Sequence, residues 1–276
     1  MTQADGSYQF DRFDGDIQIQ EQQRLTDRSE VLLPIERKIW ESAGLTPTMQ
    51  VLDLGCGTGM MTQGIARSLT SGSVVGIDRS PTMIATAHSQ AQGITNISFG
   101  VGNSENLDLP TASFDFVYAR LLFQHLSDPQ LTLSEIQRVL KPGGIVCLVD
   151  IDDDWMMFYP PVASMCAFQQ EFVRIQTQQG GDSQVGRKLG TYLAAAGFDR
   201  IKTSIEMVTS DALHEPLKKV GMKSFLDLLS FGAAFQHQNP ELMPIATQFK
   251  ADAYRLLELP YAWGGLGLFV VTGLKI

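Results

Sequence analysis

The chain has 276 residues, of which 44% are hydrophobic and 18% are charged. This length and composition are sufficient for one large α/β domain with insertions. The formal net charge is -9, and no run of basic residues occurs, which disfavours binding to the phosphate backbone of a nucleic acid. We therefore expect a single soluble enzyme without a nucleic-acid partner.

The first residues of the chain are polar and acidic. Met1 to Ile19 contains no apolar signal region, and no later stretch is long and apolar enough to span a bilayer. Cys56, Cys147 and Cys166 lack the spacing of metal ligands, so we expect free thiols in a reducing compartment and no metal site. These features predict a cytoplasmic protein that is neither secreted nor embedded in a membrane.

The most distinctive motif is a glycine-rich turn that follows an apolar run. Val51 to Leu54 predicts a buried strand, and Gly55, Gly57 and Gly59 follow it just before a predicted helix, Met60 to Leu69. Glycines are needed at such a junction because a side chain would keep the backbone away from a ligand, and because the tight turn requires unusual dihedral angles. The spacing is G-x-G-x-G rather than G-x-G-x-x-G, which argues against a nicotinamide or flavin cofactor.

A second strand, Val74 to Asp78, completes a strand-helix-strand unit and ends in a carboxylate. Asp78 lies about 20 residues beyond the glycines, where an acidic side chain can accept hydrogen bonds from both hydroxyls of a ribose. Together, these residues resemble the first motifs of the Rossmann-like (class I) S-adenosylmethionine-dependent methyltransferases, of the bacterial small-molecule type. The resemblance implies a doubly wound α/β fold with a seven-stranded, mostly parallel sheet whose last strand is antiparallel, plus an N-terminal helix and a helical cap.

The resemblance also implies S-adenosyl-L-methionine as the cofactor. The residues that it places at the cofactor are Asp53, Gly55, Cys56, Gly57, Gly59, Asp78, Arg79, Met83, Asn103, Ser104, Glu105 and Arg120. Asp78 would hold the ribose. Arg120 would lie near the methionine carboxylate of the cofactor or, as an equal alternative, form an ion pair that packs a helix.

A third strand is predicted at Ile97 to Val101, and the loop after it resembles the adenine-contacting loop of the family. The usual residue at the position of Asn103 is an acid, and this sequence departs from that pattern. Asn103 keeps a carbonyl that can accept a hydrogen bond from the adenine amino group. The alternative is that Asn103 only caps a turn.

The fourth predicted strand, Phe114 to Ala119, is followed by the segment Arg120 to Asp128, at the strand end where sites of open parallel sheets gather. His125 in this segment is a candidate catalytic base because the ordinary pKa of histidine suits proton transfer near neutral pH. The L-x-H-L-x-D-P pattern around His125 also occurs in relatives with different substrates, which fits a structural or cofactor-side histidine.

The fifth predicted strand, Ile145 to Asp150, leads into an acidic cluster. Asp150 and Asp152 are further catalytic candidates, because a carboxylate there could orient a cationic or amine acceptor or accept its proton. We interpret Asp153 and Asp154 as parts of a solvated turn.

The rest of the chain follows the family order more loosely. A helix is predicted at Gly186 to Ala196, a sixth strand at about Ile201 to Val208, and a last strand at Gly267 to Gly273. Between the last two strands, about Asp211 to Tyr261 is long for a simple connection and has apolar residues at helical spacing. We interpret it as a helical cap over a substrate pocket, although its apolar stripes could also only pack on the sheet edge.

These elements divide the chain into four parts. Residues 1–45 form an N-terminal helical lid, in which Gln18 to Arg37 is the helix and Arg24 helps to close the site. Residues 46–210 form the cofactor-binding core, 211–262 the cap insertion, and 263–276 the final strand of the core sheet.

The predicted activity is transfer of a methyl group from S-adenosylmethionine to an O or N atom of a small, hydrophobic metabolite, as in natural product biosynthesis. The predicted partners are this small-molecule acceptor alone, with no nucleic acid and no membrane, in a monomer or homodimer. The alternatives are a protein methyltransferase and a relative that binds the cofactor without catalysis.

Overall fold

The computed structural model describes residues 8–210, 223, 226 and 239–276. A seven-stranded sheet forms the centre of the fold. Its strands are β1 (Gln50–Leu54), β2 (Ser73–Asp78), β3 (Ile97–Val101), β4 (Phe114–Arg120), β5 (Leu140–Tyr159), β6 (Phe198–Thr209) and β7 (Trp263–Lys275). Their spatial order is β3-β2-β1-β4-β5-β7-β6.

Strand direction confirms the predicted fold class. Neighbouring strands from β3 through β5 pair in parallel, whereas β7 pairs antiparallel with both β5 and β6. The sheet is therefore Rossmann-like, doubly wound and mostly parallel, with its last strand inserted antiparallel. The chain order reverses between β1 and β4, and ligands of open α/β sheets bind in the crevice at such a point.

Strand β5 is longer than its sequence pattern predicts. Ile145 to Asp150 is the predicted strand, and the observed strand continues to Tyr159 because its second half pairs with β7, beyond an irregularity after Ile151. The interpretation of Asp153 and Asp154 as a solvated turn is therefore wrong. Both residues lie within β5, and the side chain of Asp153 is buried.

Seven α-helices are described. They are α1 (Gly15–Ala43), α2 (Met60–Ser68), α3 (Pro81–Gln90), α4 (Pro129–Val139), α5 (Met165–Gln178), α6 (Leu189–Ala195) and α7 (Met243–Tyr254). Short 3-10 helices lie at Phe10–Arg12, Phe123–His125, Gly186–Lys188, Pro240–Leu242 and Arg255–Glu258. Helix α1 extends beyond the predicted Gln18 to Arg37 at both ends, and Gly44 terminates it with a φ of +96°. Within the described part of the chain, no helix has both the length and the apolar character needed to cross a membrane.

Alternating side chains of the central strands form a core on each face of the sheet. On one face, Val51 and Tyr118 pack against α1, α2 and α5. On the other face, Leu52 and Ala119 belong to a core that includes α4 and α6. Trp40 of α1 is buried, and its ring contacts that of Tyr118 with centroids 5.8 Å apart. Helix α1 is thus anchored in the core at its C-terminal half.

About half of the predicted cap falls outside the described residues. Three of its helix-spaced apolar residues lie there, namely Met222, Phe225 and Leu229. Leu226 is described and is buried. In the described part, α7 packs on α5, where the rings of Phe249 and Phe168 stack with centroids 4.6 Å apart.

Candidate functional site

A cavity of about 640 Å³ opens at the carboxyl ends of the central strands. The ends of β1, β2, β4 and β5 form one wall, and side chains of α1 from Glu21 to Leu32 form another. Its volume lies in the range of small-molecule sites. No described residue from 239 to 262 lines it.

The cavity brings together most of the predicted site residues. Those that line it are Asp53, Gly55, Cys56, Gly57, Asp78, Arg79, Met83, Asn103, Ser104, Glu105, Arg120 and His125. Gly59, Asp150 and Asp152 do not line it. These three residues contact other parts of the protein.

Gly57 and Gly59 of the glycine turn are required for different reasons. Gly57 has a φ of +53°, and a Cβ there would have no atom within 4 Å, so its missing side chain leaves space beside the cavity. Gly59 has a φ of +78°, and a Cβ there would lie 2.8 Å from Ala87 Cβ and from Phe99 Cζ. Gly57 therefore allows close approach of a ligand to the backbone, whereas Gly59 allows α3 and β3 to pack beside α2.

Two backbone amides fix the Asp78 carboxylate at the end of β2. Gly57 N donates to Oδ2 and Ser80 N donates to Oδ1, each at 2.9 Å. Each oxygen keeps a further lone pair, so the carboxylate can still accept two hydrogen bonds from a ligand. The neighbouring Arg79 is exposed and donates to the backbone carbonyl of Tyr8, which ties the N-terminal segment to this side of the cavity.

Asp53 at the end of β1 is buried and accepts a 2.6 Å hydrogen bond from Thr62 Oγ1. Burial raises the pKa of its carboxyl to about 7. A cation bound beside Asp53 would favour the ionised form. Cys56, close by, stays a thiol because burial raises its pKa well above the usual range.

The loop after β3 places Asn103 at a turn and on the cavity wall. Its side-chain Oδ1 accepts a 3.0 Å hydrogen bond from Glu105 N, so Asn103 does cap a turn. Asn103 also lines the cavity, and its carbonyl oxygen has a second lone pair. Ser104 contacts Thr132 of α4 through a 3.0 Å hydroxyl-hydroxyl hydrogen bond.

Arg120 forms the predicted ion pair and also faces the cavity. Its Nε donates to Glu36 of α1 at 2.5 Å, and the Tyr118 hydroxyl donates to the same carboxylate. The Nη2 atom of Arg120 is buried and has no hydrogen-bond partner. Nε of Arg28, another cavity residue on α1, is likewise buried and unpartnered. Burial next to Arg24 and Arg120 lowers the pKa of Arg28 to about 9.

This donor and acceptor set fits S-adenosylmethionine. The Asp78 carboxylate suits a ribose diol, and the buried Asp53 suits an ammonium group. The unpartnered nitrogens of Arg28 and Arg120 suit a carboxylate, because a buried donor without an acceptor is unfavourable until an anion meets it. Sequence patterns did not point to Arg28. Only its placement on the cavity-facing side of α1 identifies it.

His125 is poorly suited to accept a proton. Burial lowers its pKa to about 3, and the nearby guanidinium groups of Arg28 and Arg79 contribute. Its ring lies against that of Tyr8 with centroids 5.3 Å apart. The imidazole is therefore neutral at pH 7 and a weak base.

The aspartates of β5 point in different directions. Asp150 is buried and accepts hydrogen bonds from the backbone N–H of Gln124 at 3.2 Å and of Ile151 at 2.9 Å. Asp152 is buried in an ion pair with Arg187. Asp153, which the sequence reasoning excluded, is the member of the cluster that lines the cavity. The alternation of side chains along a strand would have separated Asp152 from Asp153 if β5 had been recognised as extending this far.

Metal binding receives no support from the geometry. Within residues 8–210 and 239–276, and at the two described positions between them, no group of three His, Cys, Asp or Glu residues could hold a metal ion. The three cysteines are free, with Cys166 exposed.

Comparison with known proteins gives one family. A family model described as a methyltransferase domain matches residues 45–197, more than half of the chain. An uncharacterized methyltransferase of the cyanobacterium Synechocystis is 31% identical over 166 residues, which cover 59% of this chain and 72% of that protein. The demethylmenaquinone methyltransferase of Tropheryma whipplei is 39% identical over 106 residues, 38% of this chain and 43% of that protein.

The matches to two other curated relatives cover 45% and 44% of those proteins, so this chain spans about half of their length. Among solved structures, a SAM-dependent methyltransferase from Aquifex aeolicus superimposes with a TM-score of 0.53 at 23% identity, covering 71% of this chain and 93% of that one. That likeness supports the fold. The family match, the sheet order and the glycine turn agree, and the chain therefore belongs to the methyltransferase-domain family of Rossmann-like, S-adenosylmethionine-dependent methyltransferases.

Proposed function

We propose that this protein transfers the methyl group of S-adenosylmethionine to an oxygen or nitrogen atom of a small, mostly apolar molecule. The cofactor supplies an activated methyl group on a sulfonium. The protein must therefore hold the acceptor in line with that methyl group, exclude water, and remove a proton where the acceptor carries one.

The observation that carries the proposal is the extent of the cavity. It continues from the Asp78 and Asn103 side, which suits the nucleoside of the cofactor, to a second region walled by Phe172 of α5, Met156 of β5 and Leu268 of β7. Apolar walls with a few polar groups are typical of small-molecule sites. The relation to a demethylmenaquinone methyltransferase supports a small organic acceptor.

The N-terminal lid, residues 1–45, and the core, residues 46–210, share this site in the proposal. Side chains of α1 would cover the bound ligands, since Glu21, Arg24 and Arg28 face the strand ends. Glu21 and Arg24 form an ion pair at 2.6 Å on this helix. The charge of Arg28 is therefore less neutralised than that of Arg24. A covered site keeps water from the reacting groups.

The test is transfer of radioactive label. The purified protein receives methyl-labelled S-adenosylmethionine and an extract of its source cells, which is then fractionated into organic-soluble metabolites, protein and nucleic acid. The expected result is label in an organic-soluble metabolite. Label in protein alone, or no transfer in spite of cofactor binding, would contradict the proposal.

A further inference from the structure

We propose that Asp153 and Gln176 form the subsite that holds the hydroxyl or amino group of the methyl acceptor, and that Asp153 accepts the proton that this group loses. The inference rests on the proposed methyl transfer and specifies its acceptor. It assigns the role of proton acceptor to a residue outside the three catalytic candidates that the sequence suggested.

The first argument is the direction of the side chains on β5. Ile151 and Asp153 are two residues apart and both line the cavity, as expected for one face of a strand. Asp152 lies between them and forms its ion pair with Arg187, outside the cavity. The face of β5 that carries Asp153 is thus the face that a bound acceptor meets.

The second argument is that Asp153 and Gln176 have buried polar atoms that are available for hydrogen bonds. Asp153 is 2% exposed, and its carboxylate, which lies beside the Ser183 hydroxyl, keeps capacity to accept further hydrogen bonds. Gln176 of α5 is also buried. Its Nε2 donates to the Gln124 carbonyl at 3.0 Å, but its Oε1 has no partner. Buried polar atoms in folded proteins are nearly always paired, so such acceptors on a cavity wall are available to a ligand group that donates.

The available atoms of Asp153 and Gln176 on the cavity wall have the same hydrogen-bonding character. The two oxygens of Asp153 and Oε1 of Gln176 are acceptors, and the complementary ligand group must donate. Hydroxyl and amino groups donate, whereas a carboxylate or phosphate offers only acceptors. Specificity of this kind is strong, because a ligand without the donor would leave the buried oxygens unpaired.

The charges around Asp153 also favour an acceptor group that donates a hydrogen bond over an anionic acceptor. Asp150, Asp152 and Asp154 share its strand, and Arg187 neutralises Asp152 and Asp154 on the far side. From α5, the neutral amide of Gln169 donates to the Asp153 backbone carbonyl, and the neutral Ser183 hydroxyl lies beside the carboxyl group. Across the cavity, α1 carries Glu21, Arg24 and Arg28. The carboxylates of Asp152, Asp154 and Asp150, rather than these arginines, are the main charges that act on the pKa of Asp153, so this end of the cavity does not attract an anionic acceptor.

The remaining wall around this subsite is apolar. The side chains that form it are Met156, Phe172, Val208, Leu266 and Leu268. They come from β5, α5, β6 and β7. The acceptor would therefore be an apolar body with one donor group directed at Asp153.

The proton balance of the step is complete with these groups. The acceptor oxygen or nitrogen forms a bond to the methyl carbon, the carbon–sulfur bond breaks with its electron pair going to sulfur, and the proton of the acceptor moves to the Asp153 carboxylate. Burial raises the pKa of Asp153 to about 7, with the carboxylates of Asp152, Asp154 and Asp150 adding to the rise against the Ser183 hydroxyl. A base with this pKa is well matched to work near neutral pH.

The test compares Asp153→Asn with wild type in the label-transfer assay, with methyl-labelled S-adenosylmethionine and the organic-soluble extract as acceptor source. We expect the rate of product labelling to fall by about 100-fold or more, while the affinity for S-adenosylmethionine in calorimetry changes less than about twofold. The wild-type rate should rise with pH through about 7. Gln176→Leu should raise the extract concentration needed for half-maximal labelling.

The matched control is Asp199→Asn, which removes an exposed carboxylate of β6 outside the cavity and should leave labelling unchanged. Folding is checked by thermal unfolding, in which Asp153→Asn should melt no lower than wild type, because it replaces a buried carboxyl group that can ionise with a neutral amide. Near-wild-type labelling by Asp153→Asn, or label in a methyl ester of a carboxylate, would overturn the subsite while leaving the methyl transfer intact. Absence of labelling by wild type would refute the proposed function itself, and the subsite with it.

Discussion

The Asp153 carboxyl group is buried, and a buried carboxyl group destabilises the folded state most when it is ionised. The ordinary aspartate pKa of 3.8 applies to the unfolded chain, whereas burial raises the pKa in the folded protein to about 7. Between these values, the folded state binds more protons than the unfolded state. The free energy of unfolding therefore falls as the pH rises through this window.

Asp153→Asn should remove this dependence. The stability advantage of the variant over wild type should grow from pH 5 to pH 7, by at most about 1.4 kcal/mol for each pH unit, and then stay constant. Urea unfolding of both proteins at four pH values measures the difference between their free energies of unfolding. Other titrating groups, such as His125, contribute equally to both proteins and cancel in this difference. A difference that does not change with pH would contradict the raised pKa.

At the scale of single residues, the sequence was informative where function depends on a linear motif. The glycine turn and Asp78 were recognisable because their spacing reflects one strand-turn-helix unit. Arg28, Asp153 and Gln176 were not recognisable, because each is brought to the cavity by a different element and none belongs to a local pattern. The burial of their polar atoms and the position of these residues on the cavity wall are properties of the folded chain alone.

At the scale of elements, the start of α2 depends on two glycines with unequal surroundings. Gly59→Ala should destabilise the protein by about 2–5 kcal/mol, because the new methyl group meets Ala87 and Phe99 and the residue keeps a positive φ. Gly57→Ala should cost only about 1–2 kcal/mol for its backbone conformation, since its Cβ meets nothing.

Urea denaturation of the two variants measures these effects, and Gly57→Ala serves as the matched control for Gly59→Ala. Gly57→Ala should instead weaken S-adenosylmethionine binding, because its methyl group would occupy space beside the cavity. Equal losses of stability in the two variants would show that the backbone conformation alone determines the cost.

A buried ion pair joins α1 to β4. Glu36 and Arg120 are both buried, and Tyr118 also donates to Glu36. Removal of one charge from such a pair leaves the other uncompensated, so Glu36→Gln should destabilise the protein by about 3–5 kcal/mol. Chemical denaturation tests this, with the exposed Glu41 near the end of the same helix changed to Gln as control. A loss for Glu36→Gln no larger than that of Glu41→Gln would mean that α1 is held by its apolar contacts alone.

Elements differed in how far local pattern could define them. The third strand was predicted with its observed bounds. The start of β2 and the end of β4 each differ by one residue from the prediction. The agreement is close because each of these strands is a short apolar segment between turns. Strand β5 was predicted too short because its second half contains four aspartates and is stabilised by pairing with β7, which lies far away in the chain. Non-local pairing of this kind leaves no periodic signal in the segment itself.

At the scale of the whole molecule, the sequence predicted the sheet, its antiparallel last strand and the cofactor family correctly. The four-part division, with 211–262 as a cap and 263–276 as the final strand, stays a proposal. Within it, the proposed site joins groups from at least five elements: the turn after β1, the end of β2, the loop after β3, β5 and α1. Folding of the whole chain is therefore a condition for binding.

Calorimetric titration of S-adenosylmethionine into the purified protein tests most directly whether this cavity binds the cofactor. Wild type should bind one equivalent. Asp78→Ala should bind at least about 100-fold more weakly, because it loses two hydrogen bonds to a charged group, each worth about 1.5–3 kcal/mol. Asp199→Ala, at an exposed aspartate of β6 far from the cavity wall, should bind as wild type does. No binding by wild type, or unchanged affinity in Asp78→Ala, would contradict the assignment of this cavity to the cofactor.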